Sequence, residues 1–278
     1  MSRKDCARSD ALPEVNRNDW LEAVNNEFEH PAIALWRAVE LRHIHNALKA
    51  LPLKEPILDL GCAEGKIAGI LFNGQKLIGL DNCWELLSQN HRPQTYKALI
   101  LADACKMPYK ERVFSSVFSN CVIEHIHDLK GVLGEAKRVL KEQGLLIFTV
   151  PSHKFADFLF FSIVFDKIGL KKLSRWYGRK RNQLLNHFHC YDHMHWRQIL
   201  EESGFNLLSY DYYMSKEATF AWDFLAILVF ISRYILPIKK LRAGINSLLG
   251  RYSVKYYHTD TDIGGGLLII AKKYKKEK

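Results

Sequence analysis

The sequence predicts an α/β fold built on a doubly wound, mostly parallel sheet, and three observations predict it. Short apolar runs at residues 56–60, 76–80, 98–101, 115–121 and 144–150 alternate with segments of helical periodicity, Leu129 to Lys141 being the clearest. Strands alternating with helices in this way build a parallel sheet covered on both faces. The first run, Ile57-Leu58-Asp59-Leu60, ends in a turn punctuated by Gly61 and Gly65 before a helical pattern resumes. Strand, tight turn and helix in that order bring backbone amides against a ligand, and glycine leaves room for the approach. The next run ends in Asp81, whose carboxylate is placed to accept from both hydroxyls of a ribose.

Upstream of the first strand, residues 18–50 read as helix. Trp20, Leu21, Val24 and Phe28 form one apolar stripe. Ile33, Leu35, Trp36, Val39, Leu41, Ile44 and Leu48 form another, with Pro31 as the break between them. We take 1–50 as an N-terminal helical segment and 51–278 as the principal domain. The polar stretch that opens the chain lacks the apolar core of a signal peptide. Downstream, a helix is expected over 193–203, with Asp192 as N-cap and Gly204 as C-cap.

At 278 residues the chain is long enough for one large domain with a sizeable core. Its six cysteines form no C-x-x-C pair, which fits a reducing cytoplasm. The net charge of +10 is uneven. Lys171, Lys172, Arg175, Arg179, Lys180 and Arg181 cluster in one segment, Lys239, Lys240 and Arg242 in another, and five lysines crowd residues 272–278. Such patches serve nucleic acid, an anionic membrane surface or phosphorylated substrates, or are simply a solvated face.

No G-K-[ST] follows the turn, which excludes a P-loop, and the spacing D-x-G-x-x-x-G is not the G-x-G-x-x-G of a dinucleotide-binding turn. The series continues with Ala102-Asp103-Ala104, Met107-Pro108, the stretch FSNCVIEH from Phe118 to His125, and AKRVLKEQGLLIF from Ala136 to Phe148. In that order it resembles the class I S-adenosylmethionine-dependent methyltransferases, in particular the small-molecule branch (methyltransferase type 11) that includes quinone- and sterol-methylating enzymes. The resemblance spans roughly residues 55–152, with a weaker echo at 187–214. It implies a Rossmann-like sheet of seven strands, with Phe205 to Met214 as the sixth and Gly266 to Lys272 as an antiparallel last strand. It also implies S-adenosyl-L-methionine as cofactor. Asp59 would hold the loop or the cofactor's amino group, while Gly61, Cys62 and Gly65 pass under the methionine part. Asp81 would hold the ribose, with Asn82 or Cys83 beside the adenine. Asp103 would accept from the adenine amino group, Ala104 would donate its backbone amide, and Asn120 would lie near the methionine. One departure is Ala63, where many relatives carry glycine; alanine disfavours positive φ.

Two segments fall outside this minimal fold, at about 152–186 and 215–263. The first leaves the C-terminal end of strand five, and the second joins strand six to the antiparallel seventh. Both therefore start at the edge where open α/β sheets bind ligands, and are expected to form a helical cap over the donor site. Both are apolar, yet the longest clean run, Phe224 to Ile231, falls short of the roughly 20 residues of a membrane span. Basic residues follow each apolar run, as expected of a cap whose apolar face dips into an anionic bilayer.

Methyl transfer from a sulfonium rests mostly on positioning, and an oxygen acceptor also needs a base. His125, after strand four, is the first candidate, with Glu124 as its alternative; a packing role beside the cofactor is the competing reading for His125. His187 and His189 would share one face of a strand with Tyr191 and also reach the pocket. His193 and His195 would open the next helix. Four histidines so close together invite a zinc site, but a strand-to-helix switch scatters their directions, and no metal is expected. The reading is a methyltransferase for a small, hydrophobic or lipid-linked acceptor (lipid, isoprenoid or glycan), cytoplasmic and peripheral on the inner face of the membrane. The alternatives are a soluble sugar or secondary metabolite as acceptor with the inserts as a closed lid, an RNA-modifying enzyme, and a non-catalytic cofactor-binding protein. Nucleic acid is disfavoured because the Asn/Asp-Pro-Pro-Tyr run of amino-methylating enzymes is absent and the basic segments are interleaved with aliphatic runs.

Overall fold

The computed structural model describes residues 23–72, 74–232 and 261–274. Seven strands, β1 (Ile57–Leu60), β2 (Leu77–Asp81), β3 (Tyr96–Leu101), β4 (Phe114–Asn120), β5 (Leu140–Pro151), β6 (Phe205–Tyr213) and β7 (Gly266–Lys273), form one sheet in the order β3-β2-β1-β4-β5-β7-β6. The first five pair in parallel, and β7 runs antiparallel to both β5 and β6. This is the doubly wound, Rossmann-like sheet expected, with its antiparallel last strand.

Successive residues of the central strands feed opposite cores, because side chains alternate across a strand. Ile57, Phe118 and Ile147 join the layer built with α1 (Pro31–Ala50) and α2 (Lys66–Leu71). Leu58, Val117 and Leu146 join the layer built with α4 (Leu129–Val139) and α7 (His193–Glu202). The short α3 (Trp84–Leu87) follows β2. α1 starts at Pro31, where a missing amide costs nothing, and its stripe Leu35, Val39, Leu41, Ile44 and Leu48 is buried in the first core. Helix α7 is capped by Asp192, whose side chain accepts from His195 N at 2.8 Å, and Gly204 follows it at φ +87°.

The segment after β5 folds into a 3-10 turn (Ala156–Phe158), α5 (Phe160–Lys167) and α6 (Lys171–Leu184); α8 (Lys216–Ser232) follows β6. A buried carboxylate ties them together. Asp223 on α8 accepts from Phe160 N at 3.1 Å and Tyr177 Oη at 2.7 Å, and pairs with Arg181 at 2.9 Å. Phe160 packs against Phe220 and Phe224, with centroids 4.9 and 5.0 Å apart. Among the described residues no helix is long and apolar enough to cross a membrane. Trp20, Leu21 and Cys6 lie outside the described residues. So do Tyr234 to Leu236, Lys239, Lys240, Arg242 and the terminal Lys275, Lys276 and Lys278.

The strand expected at 187–191 does not form. The backbone there follows no ladder: Phe188 N donates to Glu124 O at 2.8 Å, His187 N to Asn182 O at 2.9 Å, and α7 begins at His193. The alternation that would set His187 and His189 on one face is therefore lost.

Candidate active site

Two cavities meet at the C-terminal ends of the strands. The first, about 270 Å3, lies over β1 and β2 and is lined by Asp59, Gly61, Cys62, Asp81 and Asn120. The turn after β1 is a series of left-handed residues: Gly61 at φ +77°, Ala63 at +45° and Gly65 at +74°. Gly61 N and Cys62 N both donate to Leu80 O, at 2.7 and 3.2 Å, which folds the turn back on β2. A Cβ on Gly61 would come within 2.2 Å of Val122 Cγ2, so glycine is needed for space as well as for φ. Ala63 carries the same left-handed strain without glycine's freedom, at about 1–2 kcal/mol. Its amide donates to Asp81 Oδ2 at 2.9 Å, and Asn90 Nδ2 donates to its carbonyl at 3.1 Å. Those bonds hold the strained conformation in place.

Asp81 accepts a second amide, Cys83 N, on Oδ1 at 2.9 Å, so one carboxylate fixes both walls of the cleft. Asp59 is 4% exposed and accepts from Tyr96 Oη. Burial, with a further push from the Asp81 charge and against the help of Tyr96, moves its pKa up to about 7. A buried carboxylate held this way is fitted to a cationic partner, and the ammonium of S-adenosylmethionine is one. Gly65 sits at the start of α2 just behind the cavity wall, its amide bonded to Cys62 O at 2.8 Å. Asn82, Asp103 and Ala104 do not line the cavity; they stand at the β2 and β3 ends, with Asn82 and Asp103 exposed and Asp103 Oδ1 accepting from Cys105 N at 2.8 Å.

The second cavity, about 200 Å3, is predominantly apolar. Trp36 of α1, Phe155 and Trp222 of α8 form its aromatic walls, their centroids 5.4 to 5.8 Å apart in edge-on and tilted pairs. Glu124, His125 and His187 make its polar end. Arg37 and Cys121 line both cavities and mark their junction. Arg37 donates to Asn120 Oδ1 at 2.6 Å and to Glu40, and approaches Cys121 Sγ at 3.4 Å. Glu40 is fully buried and also accepts from Tyr213 Oη at 2.7 Å and Cys121 Sγ at 3.1 Å. Burial alone would raise its pKa, but the Arg37 charge and these hydrogen bonds hold it below the usual carboxylate range. Asn120 completes the network, donating to Thr149 Oγ1 at 2.7 Å.

At the polar end, Glu124 is 1% exposed and burial raises its pKa to about 8. His187 is pushed down to about 4 by burial and by the neighbouring His125 and Arg181. His125 closes the 3-10 turn Ile123–His125, its side chain 40% exposed. His189, by contrast, lines neither cavity. It is buried behind them, with Nε2 on Ile126 O at 2.8 Å and Nδ1 3.4 Å from Tyr191 Oη. The four histidines of 187–195 do not converge: His193 Nδ1 sits 3.2 Å from Tyr212 Oη, and His195 stacks on Tyr191 at 4.3 Å. Sequence reasoning missed Arg37, Cys121, Phe155 and Trp222 as wall residues. Arg37 follows Trp36 on a helix whose apolar stripe alone was legible. A larger cleft of about 470 Å3, lined by Gly69, Phe72, Arg92 and Thr95, contains none of the strand-end carboxylates.

Comparison with known proteins agrees with this geometry. A family model described as a methyltransferase domain matches residues 58–148. The chain carries a class I S-adenosylmethionine-dependent methyltransferase domain. A malonyl-[acyl-carrier protein] O-methyltransferase of Legionella pneumophila is 35% identical over 108 residues, covering 37% of this chain and 37% of that protein. Another of that name from Hamiltonella defensa is 31% identical over 97 residues, 34% of this chain and 38% of that protein. The chain thus matches well under half the length of these curated relatives. Among solved structures, a chain of the complex between the Haloferax volcanii Trm112 methyltransferase activator and a methyltransferase superposes with TM-score 0.56 at 14% identity. That superposition covers 95% of this chain and 100% of the other. A [4+2]-cyclase, SpnF, superposes with TM-score 0.54 at 18% identity, covering 85% of this chain and 81% of that one. These likenesses establish the fold.

Proposed function

We propose that this chain transfers a methyl group from S-adenosylmethionine to a small hydrophobic or lipid-linked acceptor at an anionic membrane surface on the cytoplasmic side. The observation that carries the reading is the apolar cavity joined to the donor cavity at Arg37 and Cys121 and walled by residues of both cap segments. Bound S-adenosylmethionine would supply a methyl on a sulfonium for in-line transfer to an acceptor oxygen, with an oxygen–carbon bond formed, the carbon–sulfur bond broken, S-adenosylhomocysteine leaving and the acceptor's proton going to a base. Asp59 and Asp81 would hold the donor, the aromatic walls would orient the acceptor and exclude water, and one of Glu124, His125 and His187 would take up the proton. The O-methyltransferase names of the curated relatives favour an oxygen acceptor.

The outer face of the cap supports the membrane. Ile168, Leu170, Leu173 and Trp176 are exposed on the α5–α6 corner among the exposed Lys171, Lys172, Arg175, Arg179 and Lys180. Leu228 and Phe230 are exposed on α8. Apolar side chains ringed by cations match an interface of acyl chains under anionic headgroups. The test combines methyl-label transfer into a fractionated lipid and small-molecule extract with flotation on vesicles. We expect label in the apolar fraction, and flotation with anionic but not neutral vesicles that fades with salt. Leu228→Ser with Phe230→Ser should reduce flotation and leave S-adenosylhomocysteine binding unchanged. Label confined to water-soluble products, with no flotation at low salt, would replace this reading with a closed lid over a soluble acceptor.

A further inference from the structure

We infer that Glu124, His125 and His187 form a binding site for a divalent first-row transition cation at the polar end of the acceptor cavity. The inference rests on reading that cavity as the acceptor site. One ligand atom from each residue lies within 4.8 Å of the other two. Glu124 Oε1 and His125 Nε2 are 3.7 Å apart, and the His125 and His187 ring centroids are 5.4 Å apart. Bonds of about 2.1 Å would set ligand atoms about 3.0–3.5 Å from one another, so closing on an ion asks only a short inward movement of each group. The partly exposed His125 has room to make it.

The hydrogen bonds around the cluster point the right atoms inward. His125 Nδ1 lies 3.0 Å from Asn186 O, and His187 Nδ1 lies 3.3 Å from Asn182 Oδ1. The Asn186 carbonyl only accepts, so His125 carries its proton on Nδ1 and presents the Nε2 lone pair beside Glu124, and the contact to Asn182 Oδ1 favours the same tautomer at His187. Metal-bound histidines are oriented by this same outer contact. Glu124 supplies the second, independent observation. Its Oε2 is buried and has no hydrogen-bond partner by geometry among the described residues, and the nearby Cys121 thiol, as a weak donor, and the Arg37 charge only partly offset the burial. A buried oxygen left bare is costly, more so when charged, and a cation would remove that cost. Arg37 acts on Glu124 through its charge, while its Nη1 donates to Glu40 and Asn120.

Two imidazoles and one carboxylate are the donor set of Zn2+, Mn2+, Fe2+ or Co2+ rather than of Mg2+ or Ca2+, which favour oxygen ligands. The remaining positions would face the cavity between Trp36, Phe155 and Arg37. There an acceptor hydroxyl or carboxylate oxygen could bind the cation and be held for the incoming methyl.

The test uses the full chain without a polyhistidine tag, stripped with chelator and titrated with Co2+, in the absence of donor and acceptor. Visible ligand-field absorption and calorimetry should report one ion per chain. Glu124→Gln, His125→Ala and His187→Ala should each weaken Co2+ binding about 100-fold or more. S-adenosylhomocysteine affinity and the thermal melt serve as controls that each variant is folded, and Glu124→Gln preserves shape should either alanine variant fail them. No ligand-field absorption from wild type, or an unchanged Co2+ affinity in folded Glu124→Gln, overturns the site. Wild type that binds S-adenosylhomocysteine but no ion loses this inference alone; protein that binds the ion but no S-adenosylhomocysteine loses the methyltransferase reading and keeps the site.

Discussion

Replacing Asp81 separates two jobs that one carboxylate performs. Its Oδ2 accepts from Ala63 N and its Oδ1 from Cys83 N, both at 2.9 Å, and it lines the donor cavity where the resemblance places the ribose. Asp81→Ala removes the acceptor for both amides in a site only 9% exposed. Hydrogen bonds to a charged group contribute about 1.5–3 kcal/mol each, and water entering the gap recovers part of the loss, so about 3 kcal/mol of stability should disappear. At about 2–4 °C per kcal/mol for a chain of this size, the melting temperature should fall about 6–12 °C. Asp81→Asn keeps one carbonyl oxygen but turns an amide nitrogen toward the other backbone N–H, so about half of that loss is expected. Ligand binding should suffer further. Losing the charged acceptor for two ribose hydroxyls costs about 3–4 kcal/mol, or 10²- to 10³-fold in S-adenosylhomocysteine affinity by calorimetry. Equal weakening of S-adenosylhomocysteine and of free homocysteine, which has no ribose, would show that only the loop had collapsed. Unchanged affinity in a folded Asp81→Asn variant would refute the assignment altogether.

Asp59, with its pKa pushed up to about 7 by burial, is largely protonated below that pH and should ionise when a ligand ammonium arrives. S-adenosylhomocysteine binding near pH 6 should therefore release a proton and strengthen as pH rises toward 7.5; calorimetry in buffers of different ionisation enthalpy reads this, and proton uptake or no exchange would contradict it. Asp223→Ala strands the partly buried Arg181 and the donors of Tyr177 and Phe160. It should cost about 3–5 kcal/mol, a fall of about 6–20 °C in the melt, while a change under 2 °C would mean that apolar packing alone holds the cap.

The sheet was legible because its central strands carry mostly apolar runs bounded by turn residues: β1 is buried at every position, Asp59 included. The donor-side residues were legible for a related reason. A strand end, a left-handed turn and a carboxylate on the next strand are local features, and local spacing fixes them. Ala63 marks the limit of that reasoning. The sequence says alanine avoids positive φ, yet Asp81 and Asn90 hold it at +45° through contacts that no spacing displays. The stretch 187–191 failed similarly, because Phe188 N bonds to Glu124 O in the turn after β4, far away in sequence, and His187 N to Asn182 O at the end of α6. Arg37 and Asp223 were illegible as site and cap residues, since burial of a charged side chain depends on partners from four different elements.

A shared fold does not settle the chemistry, since a [4+2]-cyclase is built on the same one, so the junction between the cavities carries the specificity argument. The cation there is already spoken for. Arg37 is locked to Glu40, which is itself pinned by Tyr213 and Cys121, and its remaining reach goes to Asn120. The Arg37 charge at the junction is thus paired with Glu40 through Nη1. The aromatic trio of Trp36, Phe155 and Trp222 rewards an apolar body instead. The polar groups able to engage a reacting oxygen stand together at the opposite end, on Glu124, His125 and His187. On the reading proposed above, that division would suit an acceptor with an apolar body and one oxygen nucleophile, as a lipid or isoprenoid has.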